Sequence, residues 1–207
     1  MDYPEKILTV DNFAEFTYKE KSSVFIGQVY HCETENEASN ILDPIKKKYY
    51  NATHHCFACK LISGQLKYSD DGEPSGSAGI RILNAIEHFD LINVIVAVIR
   101  YYGGTKLGVG PLGKAYYTAA HNVLEKAKKL EKFLFQKVIV EADFDYTSHI
   151  HRILAKYKAI IEKQEFKDNA IFQCFLRPSD LSKITFQLTD ISKGNIKLVA
   201  TGIYNYI

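Results

Sequence analysis

The chain has 207 residues, 46% of them apolar and 24% charged, which is ordinary globular composition with enough length for one large core or two small ones. Its formal net charge of +2 is too small to imply a polyanion partner by itself. No run of about 18 apolar residues occurs, which excludes a membrane-spanning helix.

The N-terminus, Met1-Asp2-Tyr3-Pro4-Glu5, lacks the basic-then-apolar pattern of a secretory signal. Cys32, Cys56, Cys59 and Cys174 are therefore expected as free thiols, and the cytoplasm as the address. Within residues 13–33, Ser23–Tyr30 reads as a strand after a charged turn at Lys19-Glu20-Lys21. Residues 35–50 read as a helix, with Thr34 as N-cap and Glu37 completing a capping box, although Pro44 argues against a straight one. Short strands are expected near 54–62 and 65–69, turning at Ser63-Gly64, and a helix over 77–89.

Asn93–Ile99 is a nearly unbroken β-branched run, the pattern of a strand covered on both faces. Residues 111–129 form the clearest helix, with Pro111 in its first turn and Leu112, Ala115, Tyr116, Ala119, Val123 and Ala127 as its buried stripe. The charged stretch Glu125–Lys132 is read as a boundary, giving domains 1–132 and 133–207. Beyond it the expected order is strand, helix, two strands, helix and strand, the βαββαβ order of a ferredoxin-like domain.

Two glycine-rich segments are candidates for function. In Ser69–Gly79, the amides of residues 75–79 are expected to open toward a ligand, with Ser75, Gly76 and Ser77 at a helix start. Asp70, Asp71 and Glu73 in the same segment are candidate metal ligands, although a solvated turn explains the composition equally well. In Arg100–Lys114, no acid occurs between Asp90 and Glu125, while Arg100, Lys106 and Lys114 supply positive charge beside Tyr101, Tyr102, Gly103 and Gly104. Lys114 in a first helical turn opposes the macrodipole, which favours an anion at the same spot. Gly108–Lys114 spells G-x-x-x-x-G-K, but Ala115 stands where a P-loop needs Ser or Thr, so the match is accidental.

His54-His55-Cys56-Phe57-Ala58-Cys59 invites a zinc reading, but one C-x-x-C supplies half a site at most. In a strand, Cys56 and Cys59 face opposite ways, so buried thiols packed as small hydrophobes are expected. A complete catalytic set is not recognisable, and no cofactor is expected.

His54–Ala58, Tyr68–Gly79 and Arg100–Tyr116, in this order, resemble the signature of the IMPACT (YigZ-like) family. The chain departs from that pattern at Ser77, Pro111 and Gly113. The resemblance implies an α+β fold in which a ribosomal protein S5 domain 2-like domain precedes the ferredoxin-like one. It also implies a link to control of translation, which eukaryotic members exercise through a protein partner. Three functions are weighed: RNA or ribosome binding in regulation of translation, a protein-interaction regulator of translation factors, and a metal-dependent enzyme acting on a phosphorylated substrate. The pairing of Arg100, Lys106 and Lys114 with two tyrosines ranks RNA or ribosome binding first.

Overall fold

The computed structural model describes residues 3–207. Met1 and Asp2, read above as part of the N-terminus, lie outside the described residues. The fold is a mixed α+β arrangement with two antiparallel sheets, and the chain divides into two compact units. One unit is Leu8–Glu131, and the other combines the N-terminal residues through Ile7 with Lys132–Ile207.

In the first unit the sheet runs in the order β2 (Ala14–Glu20), β3 (Ser23–His31), β6 (Val94–Tyr101), β4 (His54–Lys60), β5 (Leu66–Ser69). Its central strand, β6, is buried on both faces, and the alternation of its side chains shows why. Val94, Val96 and Val98 join the core beneath helices α2 (Gly79–His88) and α3 (Val109–Lys126). Ile95, Ala97 and Ile99 join a separate core beneath α1 (Glu35–Lys48). Each such valine or isoleucine contributes about 1.5–3 kcal/mol when taken fully out of water. Position 100 falls on the α2/α3 side of this alternation, where register sets Arg100 between Phe25 of β3 and His54 of β4.

Helix α1 begins as its sequence predicts, the Thr34 hydroxyl accepting the Glu37 amide. The Glu37 carboxylate reaches one residue further than in a capping box, to the amide of Glu33. Pro44 stays inside the helix, because it and Asn40, whose carbonyl loses its helical donor, are both exposed. Strands β1 (Lys6–Val10) and β2 were not anticipated: β1 is only five residues long, and the largely polar, partly exposed residues of β2 carry little periodic signal.

The second unit has the element order β7 (Lys129–Ala142), α4 (Thr147–Lys156), β8 (Ile160–Phe166), β9 (Ala170–Leu176), α5 (Leu181–Ser192), β10 (Lys197–Tyr206). Its sheet runs β1-β7-β9-β8, with β10 also paired to β7. The charged stretch 125–132 holds the last residues of α3 and the first of β7, which starts eight positions before its expected Lys137. Val138, Val140, Ile150, Leu154, Phe172, Ile184 and Leu188 form this unit's core. No described helix is long and apolar enough to cross a membrane.

The packing of α3 on the sheet leaves no room at Gly27. A Cβ there would meet the Ala119 carbonyl oxygen at 2.7 Å and Val123 Cγ1 at 3.2 Å. Gly27→Ala is expected to cost about 1–3 kcal/mol by forcing the helix outward. The measurement is urea unfolding, in which the midpoint falls while the m-value stays unchanged.

Candidate ligand cleft between two glycine-rich loops

The site is built on the row Phe25–Arg100–His54 at one end of the central strands. Arg100 is 5% exposed, and its Nη1 donates to Glu73 Oε1 at 2.6 Å. Nη2 lies 3.3 Å from the Ser23 hydroxyl, while Nε is buried without a hydrogen-bond partner. The guanidinium lies 5.3 Å from the Phe25 ring centroid and 5.4 Å from that of Tyr102. Glu73 Oε1 also accepts the Tyr116 hydroxyl at 2.7 Å, and its Oε2 faces His54 Nε2 at 3.7 Å. Burial and then the neighbouring Cys56 push the Tyr116 phenol far above its ordinary range, so it serves as a donor throughout.

The ion pair joins residues 27 apart in sequence and thereby brings the two loops together. Thr53, His54, Glu73, Pro74, Arg100, Tyr102, Lys106, Leu107, Gly108, Val109 and Leu112 line a cleft of about 460 Å³ between them. The walls are chiefly apolar, the floor is the Glu73–Arg100 pair with His54, and Lys106 is the cation at the rim.

The loop 69–79 is organised differently from expectation. Asp70 itself accepts the amides of Gly76, Ala78 and Gly79 at 2.7–2.9 Å, so those amides serve an internal carboxylate rather than opening toward a ligand. Burial alone would raise the Asp70 carboxyl, but hydrogen bonds from Gly76, Gly79 and Ala78 together hold it below its ordinary value. Asp71 accepts the His55 amide at 2.6 Å, tying the loop to β4. Asp70, Asp71 and Glu73 thus have three separate sets of partners, and no group of three or more His, Cys, Asp or Glu among the described residues is placed to hold a metal ion.

Of the remaining nominated residues, Tyr102 and Lys106 line the cleft with Arg100, but Arg100 is an internal ion-pair partner rather than an exposed cation. Tyr101 packs on the α1 side, with its hydroxyl donating to Asn51, because successive side chains of β6 alternate. Gly103 shapes the turn, since a Cβ there would meet the Ser22 carbonyl oxygen at 1.9 Å, and Gly104 has φ +83°. Lys114 is exposed in an adjoining groove with Arg81, Asn84, Val109, Gly110, Gly113 and Tyr117. Ser75 is exposed, and the Ser77 hydroxyl is buried against the Pro74 carbonyl. Sequence reasoning missed Arg81, which lies outside both glycine-rich segments. It also missed His54 as a cleft residue, although the alternation in β4 places it opposite Cys59.

Cys56 lies in the α2/α3 core and Cys59 in the α1 core, the opposite facing expected of them. Burial pushes the Cys56 thiol up to about 12, more than the Tyr116 hydroxyl offsets, and burial likewise pushes Cys174 up to about 12.

Both shifts translate into stability. An acid whose folded pKa is raised contributes in full below its unfolded value and loses that contribution as pH rises through the folded one. Stability is therefore expected to fall from the ordinary thiol value of 9.0 toward about 12, and Cys174→Ala to flatten that fall in urea midpoints taken across the window. For Asp70 the sign is opposite: its contribution is present above 3.8 and lost on acidification below it. Asp70→Ala is expected to cost about 2–3 kcal/mol at neutral pH, leaving three amides without their acceptor. Thermal unfolding at neutral and acid pH checks this, the gap between wild type and variant closing in acid.

Residues 21–124 match the Impact N-terminal domain. An IMPACT family member from Haemophilus influenzae is 32% identical, over 85% of this chain and 87% of that protein. IMPACT family member YvyE of Bacillus subtilis is 29% identical, over 90% of this chain and 87% of its own length. A crystal structure of a hypothetical protein superposes with a TM-score of 0.72 at 25% identity, covering 95% of this chain and 98% of that one. The match spans both glycine-rich loops and the strands that carry Arg100 and His54, and on these grounds the chain belongs to the IMPACT family.

Proposed function

We propose that this protein is RNA- or ribosome-associated and acts in regulation of translation, with the cleft as its binding site for single-stranded RNA. The observation that carries the reading is Tyr102. The residue is 43% exposed at the cleft, and its ring centroid lies 5.4 Å from the buried guanidinium of Arg100, with Lys106 at the rim. An exposed ring backed by a cation is a stacking platform for an unpaired base, and a flexible lysine beside it suits a phosphate. A cleft of about 460 Å³ accommodates a nucleotide and is far too small for a duplex. The adjoining groove extends the path, since Arg81 and Lys114 both line it.

In the same reading, residues 133–207 are a ferredoxin-like domain, favoured by the strand order β10-β7-β9-β8 with two helices. Within residues 1–132, the unit Leu8–Glu131 is the ribosomal protein S5 domain 2-like domain. The near-neutral charge of the whole chain is compatible with RNA because Lys106 and Lys114 fall in the stretch without acids between Asp90 and Glu125, and Arg81 shares a groove with Lys114. The setting is cytoplasmic translation, with the family's eukaryotic members as the analogy.

The test is fluorescence anisotropy of the full chain with a labelled single-stranded RNA at low and moderate salt. Tyr102→Ala is expected to weaken binding about 5- to 150-fold, the loss of one stacked base. Lys106→Glu is expected to weaken it and to flatten its salt dependence, whereas Lys47→Glu on α1 leaves it unchanged. Binding that is indifferent to both cleft substitutions overturns the reading.

A further inference from the structure

The floor of the cleft carries an arrangement of donors and acceptors that goes beyond stacking. Arg100 Nε is a donor on a side chain that is 5% exposed, and it has no hydrogen-bond partner. A buried, unpartnered polar atom costs about 1–3 kcal/mol, so its retention beside a cleft calls for an acceptor from outside. Glu73 Oε1 is saturated by Arg100 and Tyr116, whereas Oε2 lies 3.7 Å from His54 Nε2, beyond hydrogen-bond reach. Oε2 is therefore an acceptor with capacity left.

His54 supplies the third group, and its tautomer follows from chemistry. Its Nδ1 lies 2.8 Å from the Asp71 carbonyl oxygen, which can only accept, so Nδ1 carries the proton. In the neutral imidazole Nε2 is then an acceptor. His54, Glu73 and Arg100 all line the cleft, which thus offers two acceptors, Nε2 and Oε2, and one donor, Nε.

We infer that the cleft reads one unpaired guanine through its Watson–Crick edge. That edge presents two donors, N1–H and the exocyclic amine, and one acceptor, O6. Adenine, cytosine and uracil each present a single donor group on this edge, so none satisfies both acceptors at once. In the complementary arrangement N1–H and the amine face Glu73 Oε2 and His54 Nε2, while O6 takes the Arg100 Nε–H. The ring of Tyr102, exposed and adjacent to the guanidinium, offers the face on which the entering base stacks. Leu107 and Leu112 furnish the apolar wall that the base covers. A carboxylate in the floor disfavours a phosphate there, which assigns the floor to the base and leaves phosphate to Lys106 at the rim.

This inference rests on the RNA reading above, and its test separates the two. Binding of the full chain is measured for an oligouridylate with one central guanosine, and for the same oligomer with inosine, adenosine, cytidine or uridine in that place. Guanosine is expected to bind tightest, and inosine, which lacks only the amine, about tenfold more weakly. Glu73→Gln is expected to shrink the preference of guanosine over adenosine, because the amide exposes a donor in place of an acceptor. Should that variant fail to fold, the guanosine–inosine comparison in the unaltered chain still decides. Equal, salt-sensitive binding of all five oligomers overturns the guanine inference while the RNA reading stands. No binding of any oligomer overturns both.

Discussion

The buried ion pair between Arg100 and Glu73 holds the rest of the site in place. It joins the end of the central strand to the middle of a loop that has no regular structure of its own, and Tyr116 of α3 closes the third side. Charges taken this far out of water are costly, and removing one partner of such a pair typically loses about 3–5 kcal/mol because the other is left uncompensated. The return is geometric. Strand, loop and helix meet at one carboxylate oxygen, and the cleft is the space that remains between the loops so fixed.

The loop itself is held by a second carboxylate used in a different way. Asp70 takes three backbone amides that would otherwise require solvent or a ligand. Gly79 makes this possible, because a Cβ would come within 2.9 Å of the Ser69 backbone. The acidic character of the segment therefore builds the loop's shape, and only Glu73 among the three acids reaches the cleft.

Much of the secondary structure was legible because its signals are local. The β-branched run of β6, the apolar stripe of α3 and the Thr34 cap each lie within a few residues of the structure they specify. The two loops were also legible as unusual, and their convergence in one cleft accords with their composition. What each residue does there was not legible. Arg100 and Lys106 look alike in sequence, yet one is an internal ion-pair partner and the other a rim cation, and only the position of Glu73 separates them. Tyr101 and Tyr102 are neighbours on opposite faces, a distinction that depends on where β6 ends. The amides of 75–79 had the composition of an anion site, but their partner was an aspartate a few residues upstream.

The double burial of β6 has a consequence for the time domain. Backbone amides in a strand covered on both faces exchange with solvent only when the whole unit opens, whereas exposed turns such as Gly103–Thr105 open locally at little cost. Floor and rim therefore belong to different kinetic regimes, with Arg100 and His54 carried on strands that open last and Gly103–Thr105 on a turn that opens first. Such a division confines accommodation of a partner to the rim turn, while the floor and the loop braced by Asp70 keep their shape.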